Sequence, residues 1–307
     1  MKIYAIIVTY NAMRRNWADR CLKSLQSSSV PVTPVVVDNG SIDDTCVFIS
    51  AQYPEAILFP QNRNLGFGQA NNVGIRYAME QKADYVLLLN QDAAILPDTL
   101  ELLLAESDGL TMMTPVHCNG DGSALDHNFK KFSLSVVSDL PQTLEECKQT
   151  KGRHEIGEIC AACWLMPSHV IKTIGGFNPL FFQYSEDNNY YHRLKYHHVK
   201  TYLVPAARMF HDRQTYGNAK VYHKQLLRRK LLLVLCNINL SSARRLKETL
   251  YLLADCYKTW LPQRAYIPGT FSYEMLCLIS LMPKIRLSRK VERQQGMTWL
   301  TPKNVLI

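Results

Sequence analysis

Three polar residues, Asn90-Gln91-Asp92, directly follow the apolar run Leu87-Leu88-Leu89. A short apolar run bounded by polar residues is typical of a buried strand. In an open α/β sheet the carboxyl end of such a strand faces the ligand crevice, and a carboxylate in that position can hold a hard cation such as Mg²⁺. A second interpretation stays open, in which Asp92 only begins a turn before Pro97.

Polar clusters also accompany three earlier apolar runs. They are Thr9-Tyr10-Asn11, Asp38-Asn39-Gly40-Ser41 and the longer segment from Asn64 to Asn72. Because the carboxyl ends of the strands in such a sheet converge on one crevice, we expect all four clusters to face a shared ligand. The chain has no G-x-G-x-x-G after its first strand and no Walker loop, so a dinucleotide dehydrogenase or a P-loop NTPase is disfavoured.

The elements that must position these clusters alternate between strand and helix. Apolar runs predict strands near residues 3–9, 32–37, 56–59, 85–89, 159–166, 201–204 and 208–211, and helical periodicity predicts helices near 17–27, 69–80, 169–174 and 186–197. This alternation favours an α/β fold with a doubly wound, mostly parallel sheet flanked by helices. Between residues 119 and 155 the pattern dissolves, and we expect a long functional or mobile loop there.

The composition is that of a globular protein, with 47% hydrophobic and 20% charged residues. Charge is distributed unevenly along the 307 residues. Residues 1–207 hold 17 Lys and Arg against 21 Asp and Glu, whereas residues 208–307 hold 18 against 5. This asymmetry indicates a main body followed by a basic region, whose partners could be an anionic lipid, a pyrophosphate-bearing substrate or nucleic acid. A solvated basic surface without a partner is the alternative.

Two basic amphipathic helices are predicted in the C-terminal region, near residues 224–236 and 243–260. They can pack on the main body or make peripheral contact with a membrane surface, and the sequence leaves both interpretations open. No apolar run approaches the ~18 residues of a membrane span, and the N-terminus shows no signal peptide. Nine cysteines in a chain of this size do not indicate a secreted disulfide framework. We therefore expect a cytoplasmic protein, placed at the inner face of the membrane if these helices bind lipid.

Six motifs in the first 215 residues carry a family resemblance. They are Val8-Thr9-Tyr10-Asn11, Val36-Val37-Asp38-Asn39-Gly40-Ser41 with Asp44-Thr45, Asn64-Leu65-Gly66-Phe67-Gly68 with Ala70-Asn71-Asn72, Leu89-Asn90-Gln91-Asp92, Gly175-Gly176-Phe177 and Glu186-Asp187. In this order and spacing they resemble family 2 glycosyltransferases with the GT-A fold, of the rhamnosyltransferase-like branch. The resemblance implies a GT-A domain over residues 1–215, with a nucleotide-binding half to about residue 115 and an acceptor half over 116–215. A basic, mainly helical region would follow over 216–307.

The resemblance assigns nucleotide and donor binding to the first four motifs. Asp38 matches the carboxylate that accepts a hydrogen bond from the nucleotide base, and Thr9 and Asn11 line the same pocket. The other donor-side positions are Asn39, Asn64, Gly66, Asn71, Asn90, Gln91 and Asp92. We expect these residues to surround a nucleotide-sugar donor.

A divalent metal cofactor, Mg²⁺ or Mn²⁺, is also implied by the resemblance. Asn90-Gln91-Asp92 occupies the D-x-D position of the family, but its first acidic residue is here an asparagine. Metal coordination then falls mainly to Asp92, with His211 matching a late histidine of the family that can complete the metal or phosphate site. A purely structural His211 is the alternative. Three basic residues could contact phosphate, and the sequence does not rank them: Arg208, Arg213 and Lys220.

Glu186-Asp187 matches the acidic pair at the start of the acceptor-side helix of the family. Inverting sugar transfer needs a general base that takes the proton of the acceptor hydroxyl, and we expect Asp187 in this role, with Glu186 second. Two carboxylates that only cap a helix N-terminus are the alternative. The implied function is transfer of a sugar from a nucleoside-diphosphate donor, dTDP-rhamnose or a UDP-sugar, to a glycan or lipid-linked acceptor in polysaccharide biosynthesis.

Two rival functions follow from the same residues. The asparagine at position 90 leaves open a catalytically silent nucleotide-sugar-binding protein. A sugar nucleotidyltransferase would need a Gly-rich loop with Arg or Lys after the first strand, and Thr9-Tyr10-Asn11-Ala12 is not such a loop. With the resemblance counted, no nucleic-acid partner is expected. The sequence sets neither the sugar, the base and the acceptor nor the oligomeric state.

Overall fold

The computed structural model of the protein describes residues 1–132, 140–213, 219–260 and 270–301. Its first elements are β1 (Ile3–Thr9), α1 (Trp17–Gln26), β2 (Thr33–Asp38), α2 (Thr45–Gln52), β3 (Ile57–Pro60), α3 (Phe67–Glu80), β4 (Tyr85–Leu89), β5 (Ala93–Ile95), α4 (Thr99–Ala105) and β6 (Met112–Asn119). There follow α5 (His127–Phe132), α6 (Leu144–Gln149), β7 (His154–Glu155), β8 (Cys163–Pro167), α7 (Ser168–Ile174), α8 (Glu186–Tyr196), β9 (Thr201–His211), α9 (Ala219–Cys236), α10 (Ser242–Trp260) and α11 (Thr270–Glu292). The predicted alternation of strands and helices is confirmed.

The strands of the described ranges form one nine-stranded sheet. Its order is β3-β2-β1-β4-β8-β6-β9-β5, with β7 paired to β9. Neighbouring strands from β3 to β4 are parallel, and β6 pairs parallel with β9. The pairings of β8 with β4 and β6, and of β5 and β7 with β9, are antiparallel. The parallel half ends in the polar clusters predicted to bind a nucleotide. The second half adds β5, which directly follows Asp92, and β9, which ends at His211, to the same sheet.

Helices cover both faces of the sheet. Because successive side chains of a strand point to opposite faces, one strand contributes to a hydrophobic core on each side. On one face Ile6 of β1 packs in a core that includes Ile75 of α3. On the other face Ile7 packs in a second core that includes Leu22 of α1. The uncharged run of β1 is therefore buried on both sides, as expected for a central parallel strand.

Several elements differ from the sequence prediction. The segment 119–155 contains α5, α6 and β7, while residues 133–139 lie outside the described residues. β8 begins at Cys163 rather than near residue 159, and the two short strands predicted between residues 201 and 211 are one strand, β9. β9 pairs with β6 through a register shift between Pro115 and Val116. At this irregularity Pro115 pairs with Val204 and Val116 with Arg208, so the two runs predicted as separate strands lie on either side of it within one strand.

The C-terminal helices pack on the main body through a third hydrophobic cluster. Its buried members are Phe181, Leu227, Leu231, Leu232, Cys236, Leu278 and Ile285. Both α9 and α11 contribute to this cluster, so the inner faces of these two helices pack on the main body. None of the helices in the described ranges combines the length and apolar character needed to cross a bilayer.

A buried polar connection joins the end of α11 to the acceptor side of the fold. The Nδ2 atom of Asn178 donates a hydrogen bond to Oε1 of Glu292 at 2.7 Å, and the Nε atom of Arg193 on α8 lies 4.0 Å from the same oxygen. Both Glu292 and Arg193 are almost fully buried. Since a buried charge needs a partner, this pair fixes α11 against α8.

Candidate active site

The floor of the site is formed where β1 and β2 end side by side. Thr9 lies opposite Asp38 in the strand register, and its Oγ1 donates a hydrogen bond to Asp38 Oδ1 at 3.0 Å. Ser41 adds two more hydrogen bonds to the carboxylate, from its backbone N at 3.0 Å and from its Oγ at 2.5 Å. Asp38 is only 2% exposed. Its oxygens are therefore fixed in position by three protein donors before any nucleotide binds.

Asn11 is held by the same turn. Its backbone N donates to Ser41 Oγ at 2.9 Å, and its Oδ1 accepts from the amide of Ile42 at 2.9 Å. Asn11 has a left-handed backbone with φ of 51°, which asparagine tolerates better than most residues. The three residues predicted to form the base pocket are thus brought together.

A second set of side-chain amides orders the loop before α3. Asn39 Nδ2 donates to Asn64 Oδ1 at 3.0 Å, while Asn39 Oδ1 accepts from the amide of Leu65 at 2.7 Å. Asn64 Oδ1 also accepts from the amide of Gly66 at 2.8 Å. Gly66 has a φ of +81°, and a Cβ there would collide with the carbonyl oxygen of Phe182. This position needs glycine because the donor loop touches the segment that leads into α8.

The two asparagines within α3, Asn71 and Asn72, form hydrogen bonds with backbone groups of the protein. Asn71 is nearly buried, and its Nδ2 donates to the carbonyl of Phe67 at 3.0 Å, one turn earlier in the helix. Asn72 exchanges two hydrogen bonds with the backbone of Phe177, at 2.6 and 2.8 Å. Asn72 therefore holds the Gly176-Phe177 segment against α3, and the donor role predicted for Asn71 stays a prediction.

Gln91 connects the end of β4 to the end of β1. Its Oε1 accepts from the amide of Tyr10 at 2.7 Å, and its Nε2 donates to the Tyr10 carbonyl at 3.3 Å. Asn90 lies beside it with a buried Oδ1 that has no hydrogen-bond partner in the described part of the chain. An unsatisfied buried acceptor is costly, so Asn90 Oδ1 has unused acceptor capacity, and the donor-binding role predicted for Asn90 stays a prediction.

Asp92 and His211 face each other across the pairing of β5 and β9. Ala93 lies opposite His211 in register, and the amide of Asp212 donates to the carbonyl of Asp92 at 2.8 Å. The Nε2 atom of His211 is 3.4 Å from Oδ1 of Asp92. The structure thus brings together the two residues predicted to hold a metal.

The donor set at this position fits part of a divalent metal site. A carboxylate oxygen and an imidazole nitrogen lie next to each other, and Asn90 at the same strand end carries an unpaired oxygen. Within the described ranges, no group of three or more His, Cys, Asp or Glu side chains could enclose a metal ion alone. Oxygen atoms from the donor diphosphate would have to complete the coordination, as Mg²⁺ commonly requires.

Arg213 extends this cluster toward the acceptor side. Its Nη2 lies 3.3 Å from Nδ1 of His211 and 3.5 Å from Sγ of Cys160, and its Nε lies 3.4 Å from Asp126. Arg208 instead lies near Cys118 and Cys147. The side chain of Lys220 lies outside the described residues. Of the two basic candidates whose side chains the structure describes, Arg208 and Arg213, it is Arg213 that lies beside the metal candidates.

Glu186 and Asp187 begin α8 after two residues with left-handed backbone, Tyr184 and Ser185, at φ of 65° and 69°. Glu186 is 5% exposed, and its Oε2 has no hydrogen-bond partner in the part of the chain described. Burial, together with the neighbouring Asp187 charge, raises the pKa of Glu186 well above that of a free carboxyl.

Asp187 is half-buried. Burial, followed at smaller effect by the charge of Glu158, also raises the pKa of Asp187, while the amide of Asn188 donates to its Oδ1 at 2.9 Å and opposes that rise. One of the two carboxylates therefore does bind a helix-terminal amide, as the capping interpretation expects. The more exposed Asp187 is the member of the pair that solvent and substrate can reach.

Two residues of this cluster were not predicted as site residues from the sequence, although Cys160 and Cys163 have the C-x-x-C spacing of a redox or zinc half-site. Cys160 is close enough to Asp187 for that charge to raise the pKa of its thiol, after the larger effect of burial. His117 is fully buried, stacks on Phe129 with ring centroids 4.7 Å apart, and meets His211 edge to face at 6.2 Å. Burial lowers the pKa of His117, so its imidazole is neutral beside His211. Contacts between residues far apart in the chain, rather than any motif, place both side chains here.

Comparisons with known proteins agree with this architecture. The family model described as "Glycosyl transferase family 2" matches residues 4–174. The chain is 26% identical over 219 residues to N-acetylglucosaminyl-diphospho-decaprenol L-rhamnosyltransferase of Mycobacterium tuberculosis, covering 64% of this chain and 71% of the relative.

Two solved structures share the fold. The crystal structure of S. aureus TarS 1–349 in complex with UDP aligns with a TM-score of 0.57 at 14% identity, over 95% of this chain and 88% of that one. The structure of GalNAc-T7 with UDP, GalNAc and Mn²⁺ aligns with a TM-score of 0.59 at 12% identity, over 98% of this chain and 56% of that one. The GT-A fold and the helical C-terminal extension expected from the sequence are confirmed, and the chain belongs to glycosyl transferase family 2.

Proposed function

We propose that the protein is an inverting glycosyltransferase that moves a sugar from a nucleoside-diphosphate donor, dTDP-rhamnose or a UDP-sugar, to a glycan or lipid-linked acceptor in polysaccharide biosynthesis. The observation that carries the proposal is one continuous cluster of side chains. It runs from Asp92 and His211, through Arg213 and Cys160, to the carboxylate of Asp187. The metal candidates and Arg213 are thus joined by direct contacts, and the base candidate Asp187 lies near enough to Cys160 for its charge to act on that thiol.

Asp38, Thr9 and Asn11 form the nucleotide end of this proposal. The hydrogen bonds already made to Asp38 leave part of its acceptor capacity for an N–H group of a pyrimidine base. These three residues orient the donor, because a nucleotide base held at the ends of β1 and β2 directs the diphosphate toward β5. Orientation of this kind supplies rate by placing the anomeric carbon within reach of the acceptor.

Asp92 and His211 would hold a Mg²⁺ or Mn²⁺ at the diphosphate. When bound, such an ion acts as a Lewis acid that stabilises negative charge on the leaving group. Arg213, which contacts His211, supplies a permanent positive charge on the same side. A guanidinium placed where charge develops stabilises the transition state more than the ground state.

Asp187 is the proposed general base. The oxygen of an acceptor hydroxyl attacks the anomeric carbon, the bond from that carbon to the diphosphate oxygen breaks, and its electron pair leaves with the nucleoside diphosphate. The hydroxyl proton passes to the Asp187 carboxylate. A raised pKa makes this carboxylate a stronger base than a free aspartate, while the more deeply buried Glu186 retains a proton more readily.

The acceptor-side helices also support contact with a membrane surface, which we include in the proposal. α11 exposes Leu276 and Ile279, at 65% and 62%, and Leu287 two turns later, on a face flanked by Lys284 and Arg286. An apolar strip between cations is typical of a helix that lies at the interface of an anionic bilayer. Flotation with vesicles containing phosphatidylglycerol should recover the wild type, and a Leu276→Ser/Ile279→Ser variant should stay unbound.

The proposed function is tested with a panel of nucleotide sugars. A true donor should raise the melting temperature by mass action, and the protein with Mn²⁺ should then release nucleoside diphosphate from that donor in the presence of acceptor. Donor binding without any transfer or hydrolysis would favour the silent sugar-binding alternative. Stabilisation by none of the dTDP or UDP sugars would contradict the proposal.

A further inference from the structure

Three arginines lie together where the turn between α9 and α10 meets the end of α11. Arg245 is in the first turn of α10, Arg289 is in the last turn of α11, and Arg293 follows four residues later. Burial, and after it the charges of Arg245 and Arg293, lower the pKa of Arg289, and burial and the charge of Arg293 lower the pKa of Arg245. The three guanidinium groups of this arginine cluster are therefore close enough to repel one another.

The partners of Arg245 within the described residues are neutral oxygens. Its Nη1 donates to the carbonyls of Asn237 at 3.3 Å and Leu240 at 3.0 Å, and its Nη2 donates to Ser242 Oγ at 3.1 Å. Arg245 is only 8% exposed. A guanidinium that is almost buried without a carboxylate beside it is costly. These hydrogen bonds fix the position of Arg245 but leave its charge uncompensated.

Arg289 and Arg293 add two charges on the solvent side of Arg245. Arg289 is half-buried, and its Nε atom is buried without a hydrogen-bond partner in the described part of the chain. The charge of Glu292 attracts Arg289, but with a smaller effect than the repulsion by the other two arginines. Arg293 is exposed and forms no ion pair with any residue that the structure describes. The cluster is thus open to solvent at Arg293.

The carboxylates next to the cluster in the chain are bound to other residues. Oε1 of Glu292 accepts from Asn178 Nδ2 at 2.7 Å and lies 4.0 Å from Nε of Arg193. Oε1 of Glu248 accepts from Nε of Arg244 at 2.9 Å. Neither carboxylate is therefore available to neutralise the arginine cluster, and an anion from outside the chain would relieve its repulsion.

We propose that the arginine cluster is a binding site for a phosphate monoester, whose two negative charges offset the repulsion among the three guanidinium groups. Guanidinium groups stay charged and donate parallel hydrogen bonds to phosphate oxygens. A carboxylate would offset only one of the three charges. The cluster shares no residue with the proposed donor and base sites, so this inference does not depend on sugar transfer. A phosphate monoester occurs both free in solution and as the headgroup of phosphatidic acid, and two experiments separate these sources.

The first experiment measures thermal unfolding of the full chain in inorganic phosphate and in sodium chloride of equal ionic strength. Phosphate should raise the melting temperature of the wild type by about 2 to 4 °C through mass action, and should not shift that of Arg289→Gln/Arg293→Gln. In chloride the double variant should melt at least as high as the wild type, because the substitutions remove repulsion. A double variant that melts well below the wild type in chloride would mean that these arginines already have stabilising contacts, and would overturn the proposal.

A matched control removes the same charge from another part of the C-terminal region. Lys247 and Lys258 are exposed residues of α10 outside the arginine cluster. Lys247→Gln/Lys258→Gln should keep the full shift in phosphate. Loss of the shift in this control as well would mean attraction by net charge alone and would overturn the proposal.

The second experiment tests the lipid source with vesicles of phosphatidic acid or phosphatidylglycerol, matched in surface potential. The first headgroup is a phosphate monoester and the second a diester. If the lipid supplies the group, the wild type should bind phosphatidic acid vesicles about tenfold more tightly in sedimentation, and Arg289→Gln/Arg293→Gln should lose this preference. A shift in soluble phosphate without the vesicle preference supports the site with free phosphate as its source. Absence of both effects overturns the proposal, whatever donor binding and sugar transfer show.

Discussion

Two regions of the site differ in how their buried polar groups are hydrogen-bonded. One is the donor floor, formed by Thr9, Asp38 and Ser41 where β1 and β2 end, and the other is the start of α8. At the donor floor, Asp38 accepts hydrogen bonds from both Thr9 and Ser41, so each oxygen of its carboxylate already has a protein donor before any ligand arrives. At α8, Oε2 of Glu186 and Oδ1 of Asn189 are buried without a partner in the described residues. The carboxylates of α8 have raised pKa values.

This difference separates a binding function from a chemical one. Satisfied groups hold a fixed shape and select a ligand by geometry, which explains why the polar ends of β1 and β2 bind each other so completely. Partly desolvated carboxylates with raised pKa values destabilise the folded protein when ionised but are reactive toward a proton, as general bases commonly are. Substitution of Asp38 should therefore reduce stability and donor affinity, and substitution of the proposed base at α8, Asp187, should reduce turnover.

The largest effect is expected for Asp187→Asn. The substitution keeps the size of the side chain but removes the base, so kcat should fall by about 10² to 10⁴-fold. Donor affinity measured by calorimetry should stay within about twofold of the wild type, because the floor is untouched. Transfer at the normal rate would show that Asp187 is not the base.

The matched comparison is Glu186→Gln in the neighbouring position. If Glu186 keeps its proton in the working enzyme, this variant should retain most of the transfer rate. A loss in Glu186→Gln as large as that in Asp187→Asn would assign the base role to the pair rather than to one residue.

A smaller effect is expected for Asp92→Ala. The substitution removes the carboxylate that contacts His211, and donor binding in the presence of Mn²⁺ should weaken by about ten- to hundredfold. Asp98→Ala removes the same charge from an exposed position six residues later and should bind donor normally. Unchanged affinity in Asp92→Ala would remove this residue from the proposed metal site, and calorimetry with and without Mn²⁺ decides the point.

The sequence predicted the donor floor better than the rest of the fold, for a physical reason. Asp38, Asn64 and Asp92 each end an apolar run or lie in the loop after one, so local pattern alone located them. β6 was not predicted because Pro115 and a buried His117 interrupt its apolar run, and proline is disfavoured within central strands. The structure accommodates Pro115 at a register shift.

The C-terminal side shows the same limit. Pro283 lies inside α11, and a proline within an apolar pattern normally predicts a helix end. Arg213 could not be ranked above Arg208 and Lys220, since its contacts with Cys160 and Asp126 join residues far apart in the chain. Long-range packing therefore places Arg213, whereas the Glu186-Asp187 pair was found from its local pattern.

At the donor floor, Asp38→Asn tests whether the hydrogen bonds from Thr9 and Ser41 to the Asp38 carboxylate stabilise the pocket. An amide group in place of one carboxylate oxygen leaves at least one of the Thr9 or Ser41 donors without an acceptor, which costs about 1 to 3 kcal/mol of unfolding free energy. Chemical denaturation measures this cost, and donor affinity should fall in the same variant. Asp44→Asn changes an exposed carboxylate in the next turn and should leave both quantities unchanged. Equal stability of Asp38→Asn and wild type would mean that the hydrogen bonds to Asp38 do not stabilise the donor floor.

The smallest effect concerns the stability of α8 as a function of pH. Because burial raises the pKa of Glu186 in the folded protein, the folded state binds more protons than the unfolded state above the ordinary carboxyl pKa of about 4.3. The free energy of unfolding should then decrease as pH rises from that value toward the raised pKa. Glu186→Gln removes this titration, so its melting temperature should exceed that of the wild type at pH 8, by on the order of 2 °C, and the difference should shrink toward pH 5. Asp44→Asn, at an exposed carboxylate, should show no such trend. A wild-type advantage that grows with pH would instead mean that the ionised Glu186 is stabilised in the fold, and the two regions would then hold their carboxylates in the same way.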